Sequence, residues 1–209
     1  MDYCACRRRL LGVNHGHGGR KMTVGSDEIA AHISELLCIE VTRRADGVLE
    51  CNLQPDKLVG SLTVLKNDQR ARCNMLTDIF AVDYHSRSLR FEVLYMLLSI
   101  VHNVRACCKV AVAEGEVIPS VTEVFGSSGW FEREVYDMYG IKFSDHPDLR
   151  RILTDYGFKG YPMLKDFPVT GYEEIRYDLQ QGKVVYQPVN LQQGFRSFNA
   201  MSPWKGDRS

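Results

Sequence analysis

This 209-residue sequence lacks an excess of charge, a long apolar run and a recognisable cysteine framework. Its 26 basic and 26 acidic side chains cancel. A general nucleic-acid binder needs a basic footprint, so nucleic acid is not expected as a partner. The longest apolar run, VLYMLLSIV (Val93–Val101), falls far short of the roughly 20 residues a membrane-spanning helix needs. Membrane association is therefore expected only through a partner or a surface. The seven cysteines are odd in number and irregular in spacing, which argues against a secreted disulfide scaffold.

Catalytic and cofactor motifs are scarce as well. Cys4-x-Cys6 and adjacent Cys107-Cys108 lack zinc or iron–sulfur spacing. On a strand, Cys107 and Cys108 would point to opposite faces. His15-Gly16-His17 sits in a glycine-rich stretch without further ligands, a poor metal site. There is no phosphate loop, no G-x-G-x-x-G before a helix and no G-x-S-x-G.

What is present has a clear order. Residues 1–25 form a basic N-terminal arm: between Cys4 and Gly25 lie Arg7, Arg8, Arg9, Arg20 and Lys21 and no acid. Residues 26–140 read as an α/β domain of the α+β kind, a mainly antiparallel sheet with flanking helices. Ser26–Cys38 is its first helix, with His32 on the helix surface. Asp46-Gly47 turns a hairpin within Ile39–Gln54, and Pro55 opens a second helix reaching Asp68. Met75–Tyr84, Leu89–Val101 and Arg105–Glu114 are three strands joined by short links, hence antiparallel. A short helix is expected within Pro119–Gly129 and a stronger one over Trp130–Gly140, ended by Gly140.

Residues 141–209 differ in texture. Five of the seven prolines fall between Lys142 and Trp204, amid many aromatics. DLRRIL (Asp148–Leu153) suggests a helical turn, and EEIRYD with KVVYQP flanks a hairpin turn. This composition predicts an extended arm laid on another protein, with Ser144–Phe158 as its hinge.

The stretch from Phe131 to Phe158 is dense in charge and aromatics. Glu134 and Asp137 share a helix face, and a hydrolase using that carboxylate pair is the alternative function. Arg133, four residues before Asp137, is expected to neutralise the aspartate, which would make it a poor proton donor. An ion-pair lattice on the polar side of the helix, joined by Arg150 and Arg151, is the simpler reading. His146-Pro147-Asp148 matches the tripeptide of J-domain co-chaperones, but here it follows a sheet instead of joining two bundle helices.

EREVYDMYGIKFSDHPDLRRIL closely resembles the signature of the 30-kDa subunit of respiratory complex I. Glu132, Arg133, Glu134, Asp137, His146 and Arg150 fill the charged positions of that pattern. LTDYGFKGYP, KDFPVTGYEEIRYD, VVYQPV and SPW continue it, bringing in Asp155, Gly157, Lys165, Asp166, Phe167, Pro168, Gly171, Tyr172, Tyr177 and Trp204. Leu164 departs from the arginine usual before Lys165, and Tyr161 stands where a histidine is common. The resemblance implies a core structural subunit of the quinone-reducing module of a proton-pumping NADH:ubiquinone oxidoreductase. It implies no catalytic residue, cofactor or metal on this chain, with flavin mononucleotide and iron–sulfur clusters carried by other subunits. It implies docking on the 49-kDa subunit and a place on the matrix side of the mitochondrial inner membrane.

Overall fold

The computed structural model describes residues 26–194 of the chain. The N-terminal basic arm and Trp204 lie outside them. Helix α1 (Ser26–Leu37) is followed by the hairpin β1 (Val41–Arg43) and β2 (Leu49–Leu53). Its turn needs Gly47, which sits at φ 86°, a region costly for any residue with a Cβ. A single 3-10 turn at Pro55–Lys57 leads into α2 (Leu58–Asn67). There Leu58, Leu62 and Leu65 recur at helical spacing, and all three are fully buried.

Strands β3 (Met75–Asp83), β4 (Phe91–Ser99) and β5 (Val104–Val112) form an antiparallel meander. The first hairpin joins it through a parallel pairing of β2 with β5, giving the order β1-β2-β5-β4-β3. One face of this sheet holds the core. Alternation along β4 and β5 sends Phe91, Val93, Tyr95, Leu97, Ala106, Cys108, Val110 and Val112 inward to meet the helices. Cys107 points the other way, as expected for its neighbour on a strand, and Lys109 on that outer face bridges Glu50 and Glu92.

The expected short helix within Pro119–Gly129 does not form. Val117–Pro119 is instead a strand, β6, parallel to β7 (Lys142–Ser144). Only one turn follows, closed by the amide of Phe125 on the carbonyl of Val121 at 2.8 Å. It places Val121, Val124 and Phe125 in the core. His32 also differs from expectation: it is half-buried and bonds to Asp68 at 2.9 Å, tying α1 to the end of α2.

Helix α3 (Ser128–Tyr139) packs across β3, and Ile141 and Phe143 just beyond it belong to the core. Gly140 ends the helix at φ 78°. A Cβ there would stand 2.6 Å from the Tyr161 ring. Position 140 is thus glycine for two reasons, the left-handed backbone and the ring laid against it. Further on, β8 (Glu173–Asp178) and β9 (Lys183–Pro188) make the expected hairpin. Gly140→Ala should destabilise the protein by more than the roughly 1–2 kcal/mol that positive φ alone costs. Replacing Tyr161 with alanine in the same chain should recover part of the loss. Urea denaturation of the single and double variants measures this, and strict additivity would contradict the ring contact.

Candidate functional site: the anchors of the arm

Two carboxylates of α3 are fully buried, and each holds a different segment. Asp137 serves the chain just beyond β7. Its Oδ2 accepts the backbone N–H groups of Ile152, Leu153 and Thr154 at 3.0, 2.7 and 2.9 Å. Its Oδ1 accepts from the Arg151 guanidinium at 2.9 Å and the Thr154 hydroxyl at 2.6 Å. Three successive amides turned on one anion form a nest. Burial alone would raise the pKa of this carboxyl. The hydrogen bonds from the Thr154 hydroxyl and the three amides outweigh it and hold the group well below the usual carboxylate range.

This arrangement corrects three expectations. Arg133 does not pair with Asp137; Arg151, expected in the ion-pair lattice, does, because the chain fold brings residue 151 onto the carboxylate itself. Arg133 instead donates to the carbonyls of Arg150 and Arg151 and lies over Trp130. Asp148–Leu153 forms no helical turn, since the amides of residues 152–154 are taken by Asp137. The expected hinge is bonded to the domain.

Glu132 holds the segment before the helix. It accepts from the Ser120 hydroxyl at 2.6 Å and the Val121 amide at 2.8 Å. Burial raises its pKa, against the pull of those bonds. His146, just past β7, ties the following chain to the start of α3: its Nδ1 accepts the Asp148 amide at 3.0 Å, which leaves Nε2 to donate to the Gly129 carbonyl at 3.1 Å. Glu134, by contrast, is exposed. Glu134 and Asp137 therefore do not face a common solvent-filled pocket, and both oxygens of Asp137 are saturated by five donors. The hydrolase reading fails on that geometry. Among the described residues Arg150 pairs with Asp148, an exposed contact of a type worth under about 1 kcal/mol, and Pro147 is exposed beside it.

A second anchor lies at the far end of the sheet. Arg90, just before β4, grips Asp83 of β3 through Nε at 2.8 Å and Nη2 at 2.9 Å. The same guanidinium reaches Asp166 at 2.8 Å and Glu114 at 3.1 Å. The backbone amide of Lys165 donates to Asp83 at 2.8 Å. The Arg90 bonds hold the Asp83 carboxyl below its ordinary range despite burial. Asp166 directly, and Lys165 through Asp83, are thus held at a strand-end arginine that sequence reasoning overlooked. Its one visible signal was a charge directly abutting the most apolar strand.

Between the anchors the arm makes its own small aromatic cluster. Phe158 meets Phe167 at 5.9 Å between ring centres, and Phe167 meets Tyr172 edge-on at 5.6 Å. Gly160 lets the Phe167 ring come close. Leu164, in the position where arginine is usual, packs against the domain core as a hydrophobe. Tyr161, where histidine is common, covers Gly140 and lies under the Arg151 guanidinium at 5.0 Å. Asp155, Gly157, Phe158, Phe167, Gly171 and Tyr172 line an open cleft of about 720 Å³. Pro168 is half-buried between Phe167 and the exposed Val169. Tyr177 stands on the exposed hairpin.

Residues 51–173 match the family described as respiratory-chain NADH dehydrogenase, 30 Kd subunit. The chain belongs to this family. A NADH-quinone oxidoreductase subunit from Wolbachia sp. subsp. Brugia malayi is 52% identical over 181 residues, covering 87% of this chain and 95% of the relative. The same subunit from Dinoroseobacter shibae is 49% identical over 191 residues, covering 90% and 89%. Among solved structures, a trypsin-resistant fragment of Nqo5 superposes with a TM-score of 0.52 at 30% identity, covering 60% of this chain and all of the fragment. A chain of the membrane-bound sulfane sulfur reductase, an archaeal respiratory membrane complex, gives 0.60 at 25% identity, covering 68% of this chain and 85% of that one. Among the described residues of this 30-kDa family member, no helix is long and apolar enough to cross a membrane.

Asp137 sets the sign of an acid-side stability loss. Its folded pKa lies below its unfolded one, so its contribution is complete above about pH 4 and disappears as pH falls through the folded value. Asp137→Asn should cost about 3–5 kcal/mol at pH 7 and flatten the stability profile between about pH 2 and 4. Glu134→Gln should leave both unchanged. Urea midpoints taken across that pH range provide the measurement.

Proposed function

We propose that this chain is a cofactor-free structural subunit of the peripheral-arm, quinone-reducing module of a proton-pumping NADH:ubiquinone oxidoreductase. It supports assembly and electron flow from NADH to ubiquinone by docking on the 49-kDa subunit. In this reading residues 26–140 are the rigid base and residues 1–25 a basic arm; within the arm of residues 141–209, the start (Ile141, Phe143 and residues 151–154) is bonded into that base and the part beyond it binds the partner.

The observation that carries the reading is the β8–β9 hairpin. Tyr172, Ile175, Tyr177, Val184 and Tyr186 are each more than half exposed, and Leu179 at its tip is 87% exposed. Aromatics and branched aliphatics in such number on one short hairpin are poorly placed for water and well suited to a protein partner. The buried charges of the base, Asp137 and Arg90, are already spent on holding the chain beyond β7. They support a role in geometry, not proton transfer. Flavin and iron–sulfur chemistry would then reside on neighbouring subunits, and this chain would bring no catalytic residue of its own.

The compartment that goes with this reading is the matrix side of the mitochondrial inner membrane, where the chain would be held by its neighbours. The Wolbachia and Dinoroseobacter relatives are bacterial, so fractionation of the source cells decides that part. The docking reading is tested by replacing both Ile175 and Val184 with serine. The variant should keep its thermal transition, since neither side chain is in the core. It should fail to enter a complex I-sized assembly on a native gel, and quinone reductase activity should fall with it. Normal assembly together with normal activity would refute the hairpin as the docking element.

A further inference from the structure

Away from the anchors, two thiols meet inside the sheet. Cys51 on β2 and Cys108 on β5 are direct partners in the parallel register, and their sulfurs are 3.2 Å apart. Both point to the core side and are 2% and 0% exposed. Adjacent strands lie about 4.7–4.9 Å apart, inside the Cα separation of roughly 4.4–6.8 Å that a disulfide accepts. The sulfurs, already 3.2 Å apart, have only about 1.2 Å to close to reach the bonding distance of about 2.05 Å. Among the described residues this is the one thiol–thiol hydrogen bond. Cys38 is exposed beyond α1, and Cys107 faces away from the pair. The bond with Cys108 lowers the pKa of Cys51, favouring the thiolate that attacks an oxidant, while the same bond and burial raise that of Cys108.

We propose that Cys51 and Cys108 are a redox-active dithiol that a hydroperoxide converts into a cross-strand disulfide. The Cys51 thiolate attacks the peroxide, forming an S–O bond as the O–O bond breaks. With hydrogen peroxide, the departing hydroxide takes a proton and becomes water. The Cys108 sulfur then attacks the sulfenic acid of Cys51, forming the S–S bond and expelling a second water. Two thiols and one peroxide thus give one disulfide and two waters.

Burial makes the reaction slow in the folded protein. β2 lies second from the sheet edge, covered by a β1 of only three residues. The oxidant is admitted when that edge opens, so the rate follows local opening and not the bulk thiol chemistry. Once formed, the bond ties the β1–β2 hairpin to β5 and restricts the unfolded chain.

The full-length protein is treated with hydrogen peroxide, its remaining thiols are alkylated under denaturing conditions, and its peptides are mapped by mass spectrometry. The expected result is a linked pair joining Cys51 to Cys108 that dithiothreitol reverses. It should be accompanied by a rise in Tm of about 5–15 °C. Cys51→Ser should abolish both changes, and Cys38→Ser should abolish neither. If Cys51 and Cys108 stay fully alkylatable after Cys38 has been oxidised, or either pairs with a different cysteine, the proposal is overturned. The wild-type peptide map decides this even if the serine variant does not fold.

Discussion

A single buried carboxylate, Asp137, fixes where the second half of this protein goes. A charge removed from water is tolerable only when its lone pairs are filled. Here they are filled by one continuous stretch, residues 151–154. Satisfying Asp137 and routing the chain past α3 are therefore the same event. Removing the carboxylate would strand three amides and a guanidinium, so the cost of burial becomes a constraint on path. Arg90 repeats the logic at the other end of the sheet, where Asp83 and Asp166, from a strand and from the arm, share its guanidinium.

These two anchors explain why a region so rich in charge carries structure. General acid–base work needs a group that can exchange a proton with its surroundings near the working pH. Asp137 is held ionised by five donors, and Glu132 is shut away between Ser120 and the amide of Val121. Part of the apolar surface these anchors leave exposed lies on the β8–β9 hairpin, where Ile175, Tyr177, Leu179, Val184 and Tyr186 are each more than half exposed. The family to which the chain belongs is one of respiratory-complex subunits, and a surface of that kind fits a component of an assembly.

Local signals in the sequence located the elements well. Asp46-Gly47 marked the first hairpin, the Leu58–Leu62–Leu65 stripe marked α2, and the turn residues between EEIRYD and KVVYQP marked β8 and β9. Features that depend on distant partners were not legible. β6 and β7 are three residues each and make sense only as a pair. The parallel contact of β2 with β5 crosses more than fifty residues. Arg151 was expected to join the ion pairs around Asp137, but helical spacing also favoured the nearer Arg133, which the fold turns toward the carbonyls of Arg150 and Arg151 instead. Burial of Glu132 and Asp137 was hidden because both look like surface residues on a helix whose apolar stripe is elsewhere.

The short aromatic chain Phe158–Phe167–Tyr172 also bears on the energetics of association. Tyr172 stands at the entrance to the hairpin, and its carbonyl accepts the amide of Val189 just past β9, closing the base of the loop. The hairpin is thereby joined to residues that are themselves pinned by Arg90 and Asp137. An arm ordered only on contact would surrender its conformational freedom at that moment, at a cost of several kcal/mol. Here much of that freedom has already been given up during folding of the chain itself, so in the docking proposed above more of the free energy of burying Ile175, Tyr177 and Val184 would remain available as affinity.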